Sequence, residues 1–380
     1  MKIAILTQPL GKNYGGIMQA WALQQVLKNM GHEPTTIDRQ PDARNLAYRG
    51  LRTVYRAMRR VVGTGNGLVF PERTLPVVTQ HMREFIRANI SMSPMIDSTE
   101  KLRGHFISES YEAVIVGSDQ TWRPAYSPNI YNFFLDFLPD RNIKKLAYAS
   151  SFGVDCWEFS PEQTRKCATL ARDFDFISVR EVSGIKLCTD YLGVVADAVL
   201  DPTLLLTADD YRALMDSRYR SPQSGRGLYC YVLDKTPTKN AIVQRISQEL
   251  GVPAYMHQAE ESLTDWKGGP IERYIMPPVQ EWLSGFERAD FVVTDSFHGM
   301  VFSIIFEKPF LAIANSARGA ARFQSLLSQL GLNNRLIFDH QQVPRDIASN
   351  FLSSSFQAEA VALRDQSRSA LELQLSHIGE

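Results

Sequence analysis

The sequence predicts a doubly wound α/β protein made of two Rossmann-like halves facing each other across a cleft. Three observations carry that expectation. Short apolar runs alternate with stretches of helical period along most of the 380 residues, and the alternation breaks and restarts at Pro202. Several apolar runs end in small and polar residues, as strands do at the ligand-binding edge of an open sheet. The length suits two domains, since a domain takes about 150 residues.

Residues 1–6 read as a buried first strand, ended by Thr7-Gln8-Pro9. Ile17, Ala20, Leu23, Leu27 and Met30 recur at helical spacing, and Gly31 stands where a C-terminal cap belongs. Thr35-Thr36-Ile37-Asp38 reads as the second strand. Residues 41–110 depart from the pattern and are expected as peripheral helices inserted into an N-terminal domain of residues 1–200. The alternation then resumes. A strand at 113–116 ends in Gly117-Ser118-Asp119-Gln120, one at 145–149 ends in Ser150-Ser151-Phe152-Gly153, and one at 176–179 ends in Arg180-Glu181.

Val199-Leu200-Asp201-Pro202-Thr203 looks like a hinge, because proline stops regular structure. The second domain, residues 201–345, offers strands at 228–233, 254–256, 291–293 and 310–314. Its helices are expected at 240–250, 280–289, 299–306 and 323–330. One or two closing helices should fill residues 346–380.

Composition narrows the function classes. Lys+Arg and Asp+Glu both number 41, so the net charge is zero and a dedicated nucleic-acid binder is not expected. Cys156, Cys167, Cys188 and Cys230 are widely spaced, with no C-x-x-C pair, which reads as free thiols without a zinc or disulfide framework. The apolar run after Lys2 is too short for a signal peptide, and no run approaches the roughly 20 residues of a membrane span. A cytoplasmic protein is expected. Arg44, Arg49, Arg52, Arg56 and Arg59 lie beside apolar residues at helical spacing. Such a helix either packs on the core with a solvated basic face or makes peripheral contact with the anionic inner membrane surface.

The strongest chemical signal is Thr294-Asp295-Ser296-Phe297-His298-Gly299, between a strand and an apolar helix. Ser296 suits the N-cap, Gly299 allows close approach to the backbone, and free amides at a helix start attract anions. His298 there can donate to an anion or deliver a proton, with Asp295 beside it. Asn13-Tyr14-Gly15-Gly16 fits neither a Walker loop nor G-x-G-x-x-G, and remains a glycine turn at a helix start where an anion or sugar could bind. Arg180 would bring a fixed cation to the cleft, or pair with Glu181 or an Asp. Asp119, Gln120 and Trp122 could bind a sugar through hydroxyls and stacking, Trp122 having plain core as its alternative. Arg318 and Arg322 are further anion candidates.

Taken in order, these blocks resemble the polysaccharide pyruvyl transferase family. The resemblance runs from Asn13-Tyr14-Gly15-Gly16, Gln19-Ala20 and Leu23-Gln24 through Val116-Gly117-Ser118-Asp119-Gln120 with Trp122. It continues through Tyr148-Ala149-Ser150-Ser151-Phe152-Gly153, Ile177-Ser178-Val179-Arg180-Glu181 and Leu200-Asp201-Pro202-Thr203-Leu204 to the block from Ala289 to Gly299. It implies a GT-B-like fold and transfer of a pyruvyl group from phosphoenolpyruvate to two hydroxyls of one sugar, without a cofactor or metal.

His298, Arg180 and Asp295 become the implied catalytic set. Asn13, Tyr14, Gly15, Gly16, Ser296, Phe297, Gly299, Arg318 and Arg322 are the implied donor-binding residues. Ser118, Asp119, Gln120, Trp122, Ser150 and Ser151 are expected at a saccharide acceptor of a cell-surface or capsular polysaccharide, or its lipid-linked precursor. Many members carry Arg-Leu-His where this chain has Ser296-Phe297-His298. Arg318, Arg322 or Lys12 would then replace the arginine, or the donor differs. Two other readings stay open: a nucleotide-sugar glycosyltransferase, with Glu281 or Glu287 toward a ribose, and a non-catalytic saccharide-binding relative.

Overall fold

A computed structural model describes residues 1–42, 55, 58, 71–138, 142–220, 227–261, 263, 266, 269–314, 319–344, 347 and 354–376. Arg44, Arg49, Arg52, Arg56 and Arg59 of the basic stretch, and Arg318, lie outside these residues. The first sheet contains β1 (Lys2–Leu6), β2 (Glu33–Thr36), β3 (Ala113–Gly117), β4 (Lys144–Ser150), β5 (Phe176–Val179) and β6 (Asp197–Ala198). The second contains β7 (Leu228–Tyr231), β8 (Ala254–Tyr255), β9 (Phe291–Thr294), β10 (Phe310–Ile313) and β11 (Leu336–Ile337). The strand orders are β2-β1-β3-β4-β5-β6 and β11-β10-β9-β7-β8, and every pairing is parallel. The expected two-domain α/β architecture is what the chain forms.

The central strands are apolar on both faces because helices cover both sides. Helix α1 (Tyr14–Asn29) connects β1 to β2, with Asn13 as its N-cap and Gly31 in the left-handed region (φ +82°) just beyond its end. The second strand starts earlier than its sequence pattern suggests, at Glu33, and contains Pro34. Proline is tolerated because β2 is an edge strand. The insertion carries α2 (Pro71–Val78), α3 (Gln80–Asn89) and α4 (Thr99–Ser108). After β4 comes α5 (Pro161–Ala171), and after β5 comes α6 (Val182–Leu187).

In the second half, α7 (Ala208–Arg212) and α8 (Ser217–Arg220) precede β7, α9 (Pro237–Leu250) links β7 to β8, and α10 (Val279–Arg288) precedes β9. Helix α11 (Phe297–Ile305) links β9 to β10, and α12 (Ala321–Gln329) links β10 to β11. One closing helix, α13 (Ser354–Ser376), follows.

In each sheet the chain reverses its direction of strand addition once, between β1 and β3 and between β7 and β9. Ligands of open α/β sheets bind outside the carboxyl ends of the strands at such points. Both points turn toward the same gap.

The hinge expected at 199–203 is instead a buried tie between the halves. Asp201, Pro202 and Thr203 are all buried. The Leu200 amide donates to Ser367 Oγ of α13 (3.0 Å), the Tyr148 hydroxyl donates to the Leu200 carbonyl, and Tyr211 donates to the Thr203 carbonyl. Asp201 and Pro202 do end regular structure, but the turn they start (Pro202–Leu205) packs on α1. One apolar cluster runs from Ile3, Ile17 and Leu23 of the first half to Trp282, Phe286 and Phe302 of the second, and each half holds a further cluster of its own, around Val116 and Phe133 and around Ile242 and Leu311. The four cysteines are unpaired, and no helix among the described residues is long and apolar enough to cross a membrane.

Candidate active site

Between the two switch points lies a cavity of about 510 Å³, lined among others by Lys12, Asn13, Asp119, Ser296, His298 and Arg322. Its residues come from the ends of β1, β3 and β9 and from the start of α12.

His298 is delivered by the sharp passage from β9 into α11. Thr294 Oγ1 donates to the Tyr231 carbonyl and accepts from the Ser296 amide, which fixes the exit from the strand. Ser296 then caps the helix by accepting from the Gly299 amide (3.4 Å). Gly299 is required by packing: a Cβ there would stand 2.1 Å from Thr294 Oγ1. The His298 ring presses on the start of α1, so a Cβ on Gly15 would fall 2.1 Å from its Nδ1. His298 is only 4 % exposed, and its Nε2 has no hydrogen-bond partner among the described residues.

Facing it, Arg180 is buried at the end of β5. Its Nη1 donates to Asp201 Oδ2 at 2.7 Å, and its Nη2 stands 3.8 Å from Asp119 Oδ1. The guanidinium lies over the Phe297 ring at 4.7 Å, and that of Arg322 contacts the same ring at 5.5 Å. Nε and Nη2 of Arg180 have no hydrogen-bond partner among the described residues. Burial and then the nearby Arg180 charge push Arg322 down to about 10, so it remains cationic at neutral pH.

Asp201, absent from the residue set expected at the site, joins these groups. Its Oδ2 also accepts from Ser118 Oγ (2.9 Å) and lies 3.6 Å from His298 Nε2, while Oδ1 accepts from the Thr203 amide and hydroxyl. Burial alone would push this carboxyl up. The neighbouring His298 and Arg180 and the bond from Thr203 outweigh that and hold it well below the usual carboxylate range. The signal in the sequence was Leu200-Asp201-Pro202-Thr203, legible as an Asp-capped turn but not as part of a cleft.

The remaining expected residues divide by environment. Asn13 accepts from the Gly15 amide and lines the cavity, and Gly16 faces Asp119, its Cβ position being 3.4 Å from Oδ2. Ser118 and Asp119 hold left-handed backbone (φ +31° and +65°), which turns Ser118 toward Asp201 and Asp119 toward the cavity. Gln120 lines the cavity and accepts from Arg123.

Tyr14 is turned away into the second half, stacked on Trp282 with its hydroxyl donating to the Pro277 carbonyl. Asp295 reaches the cavity wall, but its carboxylate is occupied by the Leu233 and Asp234 amides and Lys239 Nζ (2.5 Å). Ser150 and Ser151 are fully buried, one donating to the Val116 carbonyl and the other accepting from the Gly153 amide. Trp122 is core: it stacks on Phe134 and donates to the Phe133 carbonyl. These last three do not face the cavity. Among the aromatic rings that do are Phe297, Phe323 and Tyr126, the last 48 % exposed and covered by the Arg123 guanidinium at 4.6 Å.

Comparison with known proteins places this geometry in context. No curated protein matches the chain. Solved structures with the same fold include the UDP-GlcNAc 2-epimerase from Methanocaldococcus jannaschii, at 12% identity and TM-score 0.51, covering 97% of this chain and 99% of that one. The UDP-N-acetylglucosamine 2-epimerase from Rickettsia bellii aligns at 11% identity and TM-score 0.51, over 99% of this chain and 96% of that one. These similarities show the GT-B-like fold. The polysaccharide pyruvyl transferase family model matches residues 13–317, a span that holds every cavity-lining group named above except Lys12 and Arg322. On that match over most of its length, the chain belongs to the polysaccharide pyruvyl transferase family, a family of transferases acting on polysaccharide.

Proposed function

We propose that the protein transfers a pyruvyl group from phosphoenolpyruvate to two hydroxyls of one sugar, forming a cyclic ketal. The acceptor is a unit of a cell-surface polysaccharide or of its lipid-linked precursor, met on the cytoplasmic side of the membrane. One observation carries the reading. The buried His298 lines one polar cavity, and the buried Arg180 lies directly behind its wall against Phe297 and Asp119; two Arg180 nitrogens and one of His298 have no hydrogen-bond partner among the described residues. Buried polar groups are ordinarily satisfied, so this set fits a small anion.

In this reading Arg180 and Arg322 hold the carboxylate and phosphate of the donor. His298 gives a proton to the methylene carbon, which becomes a methyl group and leaves a cationic centre at C2. One sugar hydroxyl adds to C2 and releases its proton, restoring His298. The C–O bond to phosphate then breaks, and the second hydroxyl closes the ketal, its proton leaving with inorganic phosphate. Asp119 and Gln120, with Tyr126 at the wall, face the space left for the sugar.

The nucleotide-sugar reading finds less support. Glu281 is paired with His257 (2.8 Å) and Glu287 with Arg212 (2.9 Å), and neither lines the cavity. Phosphate release from phosphoenolpyruvate should depend on a glycan acceptor, tested with galactosides, mannosides and N-acetylhexosaminides. Thermal shift should respond to phosphoenolpyruvate rather than to UDP, GDP or CMP sugars. Stabilisation by a nucleotide sugar alone contradicts the proposal, and absence of phosphate release with every acceptor favours a non-catalytic relative.

A further inference from the structure

The chemistry above employs Arg180 and His298 and leaves Asp201 without a role. Yet Asp201 lies between the last strand of one sheet and the first of the other, and both halves meet its carboxylate. We propose that Asp201 is a positioning residue of the donor site. By holding one nitrogen of the Arg180 guanidinium and standing against the His298 imidazole, it aims the remaining Arg180 N–H groups and that ring at a single anion. The inference rests on reading the cavity as a phosphoenolpyruvate site.

Three features support it. An arginine presents its donors in a rigid planar fork, and here Nη1 is taken by Asp201 at 2.7 Å. The Nε and Nη2 nitrogens, buried and without hydrogen-bond partners among the described residues, are the pair whose geometry matches a carboxylate or phosphate edge. Second, the Phe297 ring at 4.7 Å covers the guanidinium and restricts tilting, so the bond to Asp201 sets its orientation within the plane. Third, Asp201 cannot swing. It is 1 % exposed, and the Thr203 amide (3.0 Å) and hydroxyl (2.7 Å) hold its other oxygen.

Charge alone gives the opposite expectation, which makes the idea testable. A carboxylate beside a multiply negative donor repels it, so neutralising Asp201 should tighten donor binding if Asp201 only contributes its charge. Positioning demands that binding weaken.

Calorimetry should compare phosphoenolpyruvate, and separately inorganic phosphate, on wild type, Asp201→Asn, Arg180→Gln and the double variant. Asp201→Asn is expected to weaken phosphoenolpyruvate at least 10-fold. In the Arg180→Gln background the same change should alter affinity less than 3-fold, because the residue acts largely through Arg180. Asp201→Glu keeps the charge but displaces it by one methylene, and should also weaken binding at least 10-fold. It replaces Asp201→Asn if the lone buried guanidinium prevents folding.

Unchanged or tighter binding by a folded variant overturns the proposal, as does an equal loss in both backgrounds. So does a lowered melting temperature with unaltered affinity, the mark of a merely structural group. A wild type that binds phosphate but not phosphoenolpyruvate overturns the donor reading, and the phosphate cycle then decides the role of Asp201. A wild type that binds neither overturns both.

Discussion

At the residue scale, Gly15 and His298 come from different halves and touch, so the identity of one limits the other. A methyl group at Gly15 would overlap the imidazole, at 2.1 Å from Nδ1. Gly15→Ala is therefore expected to displace the ring, costing about 1–3 kcal/mol in stability and most of the activity. Gly104→Ala is the control: it meets nothing within 4 Å and lies within α4, where alanine should gain about 0.5–1 kcal/mol. Comparing their unfolding midpoints and turnover checks the contact. His298→Ala should fold normally and lose on the order of 10²–10⁴ in rate, the usual worth of a positioned acid, and near-full turnover would end the acid assignment.

Asp201 adds a pH signature. Because the folded state holds its carboxyl below the unfolded value near 3.9, its stabilisation is complete above that pH and is lost as pH falls toward the folded value. The difference in melting temperature between wild type and Asp201→Asn should be constant above about pH 5 and shrink below about pH 4.

At the scale of elements, the passage from β9 to α11 was legible in sequence because its determinants are local. An apolar strand, a Ser N-cap and a small residue at the third helical position are near neighbours in the chain. What neighbouring residues cannot reveal is the direction in which a loop side chain points. Trp122 and Tyr126 lie in one loop after β3, and tertiary packing alone sends the indole into the core and the phenol to the cavity. The same limit applies to Asp201, whose partners Ser118, Arg180 and His298 are 83, 21 and 97 positions away.

Asp295 shows how an element is pinned. It joins the end of β9 to the loop after β7 through two amides and Lys239. Asp295→Asn should leave the buried Lys239 with only the more distant Asp234 carboxylate (3.9 Å) and cost about 1–3 kcal/mol. Turnover per folded molecule should change far less than in His298→Ala. A large loss of turnover with unchanged melting would instead make Asp295 part of the chemistry.

At the scale of the whole molecule, the two halves share one apolar core, and Tyr14 of the first half stacks on Trp282 of the second at 5.1 Å. A free linker between independent domains would give two calorimetric transitions. The shared core predicts one, with calorimetric and van't Hoff enthalpies in agreement. Two separable transitions would show that the halves fold alone.

The same union brings an α11 histidine to the cavity wall with a β5 arginine and a junction carboxylate directly behind it, and that convergence is the basis of the functional reading. A crystal structure of the protein soaked with phosphoenolpyruvate tests it most directly. The account predicts the donor in this cavity, within hydrogen-bonding distance, about 3 Å, of Arg180 Nε or Nη2, with its methylene carbon beside the His298 ring. Phosphoenolpyruvate bound elsewhere, or a cavity that accepts only a nucleotide sugar, would contradict it.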